Sequence, residues 1–200
     1  MSQAFSKLNV LLASSLLLCT SAYAQFGVPS GAYELDNTHA YITFSYSHLG
    51  FSNPHVGFNS FTVDVNADNE NPQNSQVAVV IDADSIDSRV AEFDQHLVGE
   101  NYFDTAQYPE ITFTSTSIKQ TADNTFDVTG NLTIKDITKP VTLATTINKA
   151  AEHPMLKIPN IGLSATTTVS RTEFGLGRFA PAVGDEVTIF ITAELFKKAE

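Results

Sequence analysis

The chain has 200 residues, with 11 Lys and Arg against 22 Asp and Glu and a formal net charge of −11 at pH 7. That length suits one domain, and so acidic a surface argues against nucleic acid or anionic membrane surfaces as partners. A single cysteine, Cys19, excludes an internal disulfide.

At the N-terminus, Lys7 precedes an apolar run from Leu8 to Leu18, broken only by Asn9 and two serines, and then Thr20-Ser21-Ala22-Tyr23-Ala24. A basic residue, a short apolar stretch and a small-x-small ending predict a cleaved signal peptide over residues 1–24. The run is shorter than the ~20 apolar residues that span a bilayer. Leu18 before Cys19 does not suit lipid attachment. The expected mature product is one domain over residues 25–200, exported to the periplasm and not integral to the membrane.

From there the pattern has a period of two, the signature of half-buried strands. Ile42, Phe44, Tyr46 and His48 share one face. Phe61, Val63 and Val65 follow, then Val77, Val79 and Ile81. A short segment then breaks the period. Ser88 is placed to cap a helix, Val90, Phe93 and Leu97 fall on one helical face, and Gly99 is placed to end it. This predicts one short helix near residues 89–98, beside or inside one end of the sheet. Strand patterns resume at Ile111–Ile118, Phe126–Ile134, Val141–Ile147, Ile161–Val169 and Val187–Leu195. Turn signals separate them: Asp68 to Pro72, Ala122-Asp123-Asn124, and Lys135-Asp136-Ile137-Thr138-Lys139-Pro140. The reading is all-β: an eight-stranded antiparallel barrel, whose closure removes both sheet edges.

A closed sheet of eight strands is just wide enough to be filled by side chains or to hold one small ligand. Its phenylalanines bring much apolar area. The candidates for the lumen wall and ligand binding are Phe44, Tyr46, His48, Phe61, Phe113, Phe126, Leu132 and Phe174, with Phe93 and Leu97 from the helix. A hydrocarbon tail buried there gains about 0.8 kcal/mol per CH₂. Chemistry is less supported. The histidines (His39, His48, His55, His96, His153) show no metal-ligand spacing, there is no Gly-x-Ser-x-Gly elbow, and the one cysteine lies in the leader. No cofactor, no metal and no catalytic residue is expected. Two other readings stay open: a solidly packed barrel acting as an interaction protein or scaffold in the envelope, and a secreted hydrolase using His48 or His96.

Several stretches in order resemble the YceI-like family of exported lipid-binding proteins. They are Leu35-Asp36-Asn37-Thr38-His39 leading to Ile42-Thr43-Phe44, Asp94-Gln95-His96-Leu97, Tyr102-Phe103-Asp104, and Tyr108-Pro109-Glu110-Ile111-Thr112-Phe113. Gly130-Asn131-Leu132-Thr133-Ile134 and Arg171-Thr172-Glu173-Phe174-Gly175-Leu176 extend the likeness across residues 31–195. The resemblance implies a lipocalin-like barrel and a non-enzymatic carrier or sequestering role. The ligand would be a long-chain isoprenoid or other amphiphile, such as a quinone, a polyprenyl phosphate or a fatty-acid derivative. A homodimer partner is also implied. One departure stands out: Phe93-Asp94 replaces the family's frequent Arg-Asp. With only Arg89, Arg171 and Arg178 in the chain, and diphosphates favouring forked arginine contacts, the expected head group is neutral or a weakly anionic carboxylate.

Overall fold

The computed structural model describes residues 27–199, so the expected signal peptide lies outside the described residues. The strands are β1 (Gly31–Leu35), β2 (Tyr41–His48), β3 (His55–Phe58), β4 (Phe61–Ala67), β5 (Gln76–Asp82), β6 (Ile86–Asp87), β7 (Glu110–Ala122), β8 (Thr125–Ile134), β9 (Ile137–Glu152), β10 (Pro159–Ser170) and β11 (Val183–Lys197). One helix, α1 (Ala91–Val98), lies between β6 and β7.

These segments form eight staves of one closed antiparallel barrel. β11 pairs with β2 along its first part and with β1 at its end, so β1 and β2 are one interrupted stave. In the same way β3 and β4 face β2 and β1, and β6 and β5 face β3 and β4. The ring then runs β5–β7–β8–β9–β10–β11 and closes through β1.

The three interruptions lie side by side, and local polar chemistry makes each. Asp36 accepts from the Thr38 amide at 2.9 Å and the Thr38 hydroxyl at 2.6 Å, an Asx turn that competes with strand pairing. Asn59 and Ser60 separate β3 from β4. Asp82 accepts from the Asp84 amide at the start of a 3₁₀ turn over Ala83–Ser85.

The helix starts at Ala91, two residues later than the sequence suggests, and Ser88 is not its cap. The capping position is Val90, with no side-chain bond. Ser88 is instead held by the Asp94 carboxylate, which accepts from its amide at 2.7 Å and from its hydroxyl. Gly99 ends the helix in an extended rather than left-handed conformation.

The turn expected over residues 135–140 is much tighter. Lys135 and Asp136 alone connect β8 to β9, with Lys135 at φ 58°, and Ile137 to Pro140 belong to the strand. Pro140 is tolerated because β10 pairs with β9 only from Ala144 onward, so no neighbour on that side needs its missing N–H.

Gly130 in β8 reflects a close approach. A Cβ there would sit 2.4 Å from the Phe113 ring and 2.6 Å from the Thr114 carbonyl oxygen. The Phe113 ring therefore covers the bare backbone of its neighbour strand.

The buried residues fall into two groups. A small group at one end centres on Tyr33 and Leu195, with Val28, Val63 and Ile161. A larger one surrounds the lumen and includes Ile42, Val56, Phe58, Leu97, Phe113, Leu132 and Phe174.

Candidate functional site: an apolar cavity in the barrel

Alternation along the staves carries one face of each strand inward, and those faces enclose a cavity of about 440 Å³. Most of its wall is aliphatic or aromatic. Ile42, Phe44 and Tyr46 come from β2, Val77 and Val79 from β5, Val128 and Leu132 from β8, and Ile189 and Ile191 from β11. The volume falls within the ~300–1,000 Å³ typical of small-molecule sites.

The cavity has one closed end. Tyr33 is 0% exposed, and its hydroxyl donates to the Pro29 carbonyl at 2.6 Å. It packs with Leu195 and Ile161, and none of the three lies on the cavity wall. At the opposite end the wall residues become exposed: His48, His96, Arg178 and Phe179. This is the mouth, where β2 ends, β11 begins and α1 packs alongside.

Of the residues singled out in the sequence, Phe44, Tyr46, His48, Phe93, Leu97, Phe113, Leu132 and Phe174 line the cavity. Phe61 and Phe126 pack in the core around it. On the wall, the Phe44 ring packs against Tyr46, at 6.5 Å between ring centroids, and Phe58, at 5.9 Å.

In the segment that borders the mouth, residues 171–183, sequence reasoning found Phe174 but missed Arg171, Leu176, Arg178 and Phe179 as wall residues. A 3₁₀ turn over Arg171–Phe174 ends at Gly175 in the left-handed region, where φ is 72°. It buries Phe174 and Leu176. Arg171 fastens this strap. Its Nε donates to the Gly184 carbonyl at 2.8 Å, its Nη2 to Val183 at 2.8 Å, and its Nη1 to Arg178 at 3.0 Å and to Leu176. Asp185 fixes the strap's base by accepting from Ser170 at 2.6 Å and from the Thr172 amide at 2.9 Å. The Ser170 bond, then the Thr172 amide, hold its carboxyl below the ordinary aspartate value. The signal available in the sequence was the run from Arg171 to Leu176, but the targets are backbone carbonyls that no residue pattern announces.

The histidines and arginines of the wall gather near the mouth. Burial keeps the Tyr46 phenol protonated by raising its pKa, the nearby Tyr102 adds to this, and Arg171 opposes it. Among the described residues, neither the His48 nor the His96 ring hydrogen-bonds a hydroxyl or carboxylate. Away from the lumen, Asp36, His39 and Glu194 bring ligand-type atoms within 4.8 Å of one another. The group is held by its own bonds: His39 Nδ1 lies 2.7 Å from Asp36, and that contact raises the His39 pKa.

The site is thus an apolar, blind-ended cavity inside a closed all-β barrel. The model of the YceI-like domain matches residues 33–195, and the chain belongs to that family. Protein YceI of Escherichia coli O157:H7 is 33% identical over 185 residues, 90% of this chain and 96% of the relative. A UPF0312 protein of Pseudomonas putida is 34% identical over 165 residues, 82% of this chain and 85% of the relative. Among solved structures, Burkholderia cenocepacia BcnA superimposes with a TM-score of 0.73 at 22% identity, covering 80% of this chain and 98% of that one. A polyisoprenoid binding domain from Saccharophagus degradans, implicated in plant cell wall breakdown, gives 0.64 at 11% identity, covering 85% and 100%. Among the described residues, no helix is long and apolar enough to cross a membrane.

Proposed function

We propose that this protein binds one long-chain amphiphile in its lumen and carries or sequesters it in the periplasm, after export on the predicted signal peptide, without acting on it chemically. The observation that carries the reading is the hollow half of the barrel: 440 Å³ of space walled by aliphatic and aromatic side chains and closed behind by Tyr33. Removing a tail from water supplies the affinity, at about 25 cal/mol per Å² of apolar area. The residues proposed to contact the tail are Phe44, Phe113, Leu132 and Phe174 along the wall. Phe93 and Leu97 contact it from α1, and Tyr46 and His48 lie toward the head. The likeness to a polyisoprenoid binding domain supports a guest of this kind. The apolar wall and the unpaired imidazoles favour binding over hydrolysis.

Solvent extraction of the purified protein, followed by mass spectrometry, tests this. A long-chain compound at close to one per chain is expected. Ala165 is buried on the wall between Thr145 and Ile191. Ala165→Trp fills the lumen, and the extracted compound should fall several-fold while circular dichroism still reports the barrel. A chain that yields no lipid and takes up none defeats the reading.

A further inference from the structure

The charge distribution of the cavity runs against that of the whole molecule. The chain has twice as many acidic as basic residues, yet among the described residues no Asp or Glu lies on the cavity wall. Two of the three arginines, Arg171 and Arg178, do. Asp185, whose carboxylate feels the Arg171 charge, is bonded by Ser170 and Thr172 and is not on the wall. A fixed positive charge bordering an apolar space with no countercharge on the wall selects an anionic head.

The two arginines differ in what they can offer. A guanidinium has five N–H donors. Arg171 gives bonds to four backbone carbonyls, so it acts on a guest mainly as a fixed charge with one N–H to spare. Arg178 is exposed and lies over the Phe179 ring at 4.9 Å. Among the described residues it forms no ion pair, and its fork is free to take both oxygens of a carboxylate. One fork and one spare donor match a monoanion. A diphosphate would leave most of its oxygens without donors.

Size sets the tail. A cavity of about 150 Å³ holds a benzene ring, roughly 25 Å³ per carbon. At that rate 440 Å³ takes on the order of 18 carbons. Resting on the lumen-binding reading above, we infer that the guest is a single-chain carboxylic acid of about 18 carbons, a long-chain fatty acid by class, with its carboxylate at Arg178 and Arg171.

Displacement of the fluorescent polyene cis-parinaric acid from delipidated protein separates the readings. Oleate should displace it at a concentration at least tenfold lower than oleyl alcohol, which has the same tail without the charge. Saturated acids should bind best near the length the cavity predicts, and oleyl phosphate should bind no better than oleate. Arg178→Gln, on an exposed side chain that folding does not depend on, should narrow the oleate-to-alcohol ratio at least fivefold. Equal binding of acid and alcohol, a tighter phosphate, or preference for a neutral long-chain quinone overturns the fatty-acid inference but leaves a lipid-binding lumen. Failure of every amphiphile to bind overturns both.

Discussion

The two ends of the barrel are built from the same alternating strands and reach opposite outcomes. At the closed end Tyr33 is fully buried and satisfied, Leu195 is 1% exposed, and the space between the staves is filled. At the open end Phe179 is 60% exposed, and the wall residues Phe44 and Tyr46 are only partly buried. The difference lies in what occupies the middle of the barrel. A phenol that crosses to the Pro29 carbonyl stoppers one end. At the other, a strap and a short helix stand beside the opening. Filling and hollowing are therefore decided by a few side chains, on a backbone that permits either.

Three perturbations bear on that contrast. The largest effect belongs to the stopper. Tyr33→Ala should remove about 3–5 kcal/mol of stability, as for other large buried aromatics. It should also lengthen the tail accepted, because the cavity then extends toward the closed end. Urea denaturation and the acid-length series measure the two effects. A loss below about 1 kcal/mol would mean the closed end is not packed as described.

Gly130→Ala comes next. The new methyl meets the Phe113 ring and the Thr114 carbonyl oxygen, and the second cannot swing aside. Overpacking of this kind costs about 1–3 kcal/mol. Thermal denaturation should show it, with partial relief in a Phe113→Leu background.

The smallest effect concerns the strap. Asp185 has a folded pKa below its ordinary 3.8. Its contribution is therefore complete above that value and is lost as pH falls through the lower, folded one. The melting temperature should drop on acidification in that range, and Asp185→Asn should flatten the dependence while leaving the closed end intact. An identical acid profile in the variant would remove Asp185 from the account.

How much of this was legible beforehand varied by element. Period-two alternation gave the long strands, because a half-buried strand must alternate, and one face of β2 (Ile42, Phe44, Tyr46, His48) appears intact on the cavity wall. The shorter strands β1, β3 and β6 were not legible. Two to five residues around a turn carry too few positions to establish a period, and only pairing across the barrel makes them strands. Ser88 failed as a cap because Asp94, six residues on, competed for it. Pro140 misled because a proline marks a turn locally but is harmless on an unpaired strand side.

The sequence by itself determined the fold class and the family, since these follow from local periodicity and ordered motifs. Only the tertiary structure decided that the barrel is hollow at one end, that Tyr33 stoppers the other, and that Arg171 and Arg178 border the cavity. These are distances between residues far apart in the chain. They depend on which side chains the pairing of eight staves brings face to face across the lumen, and no local pattern encodes that.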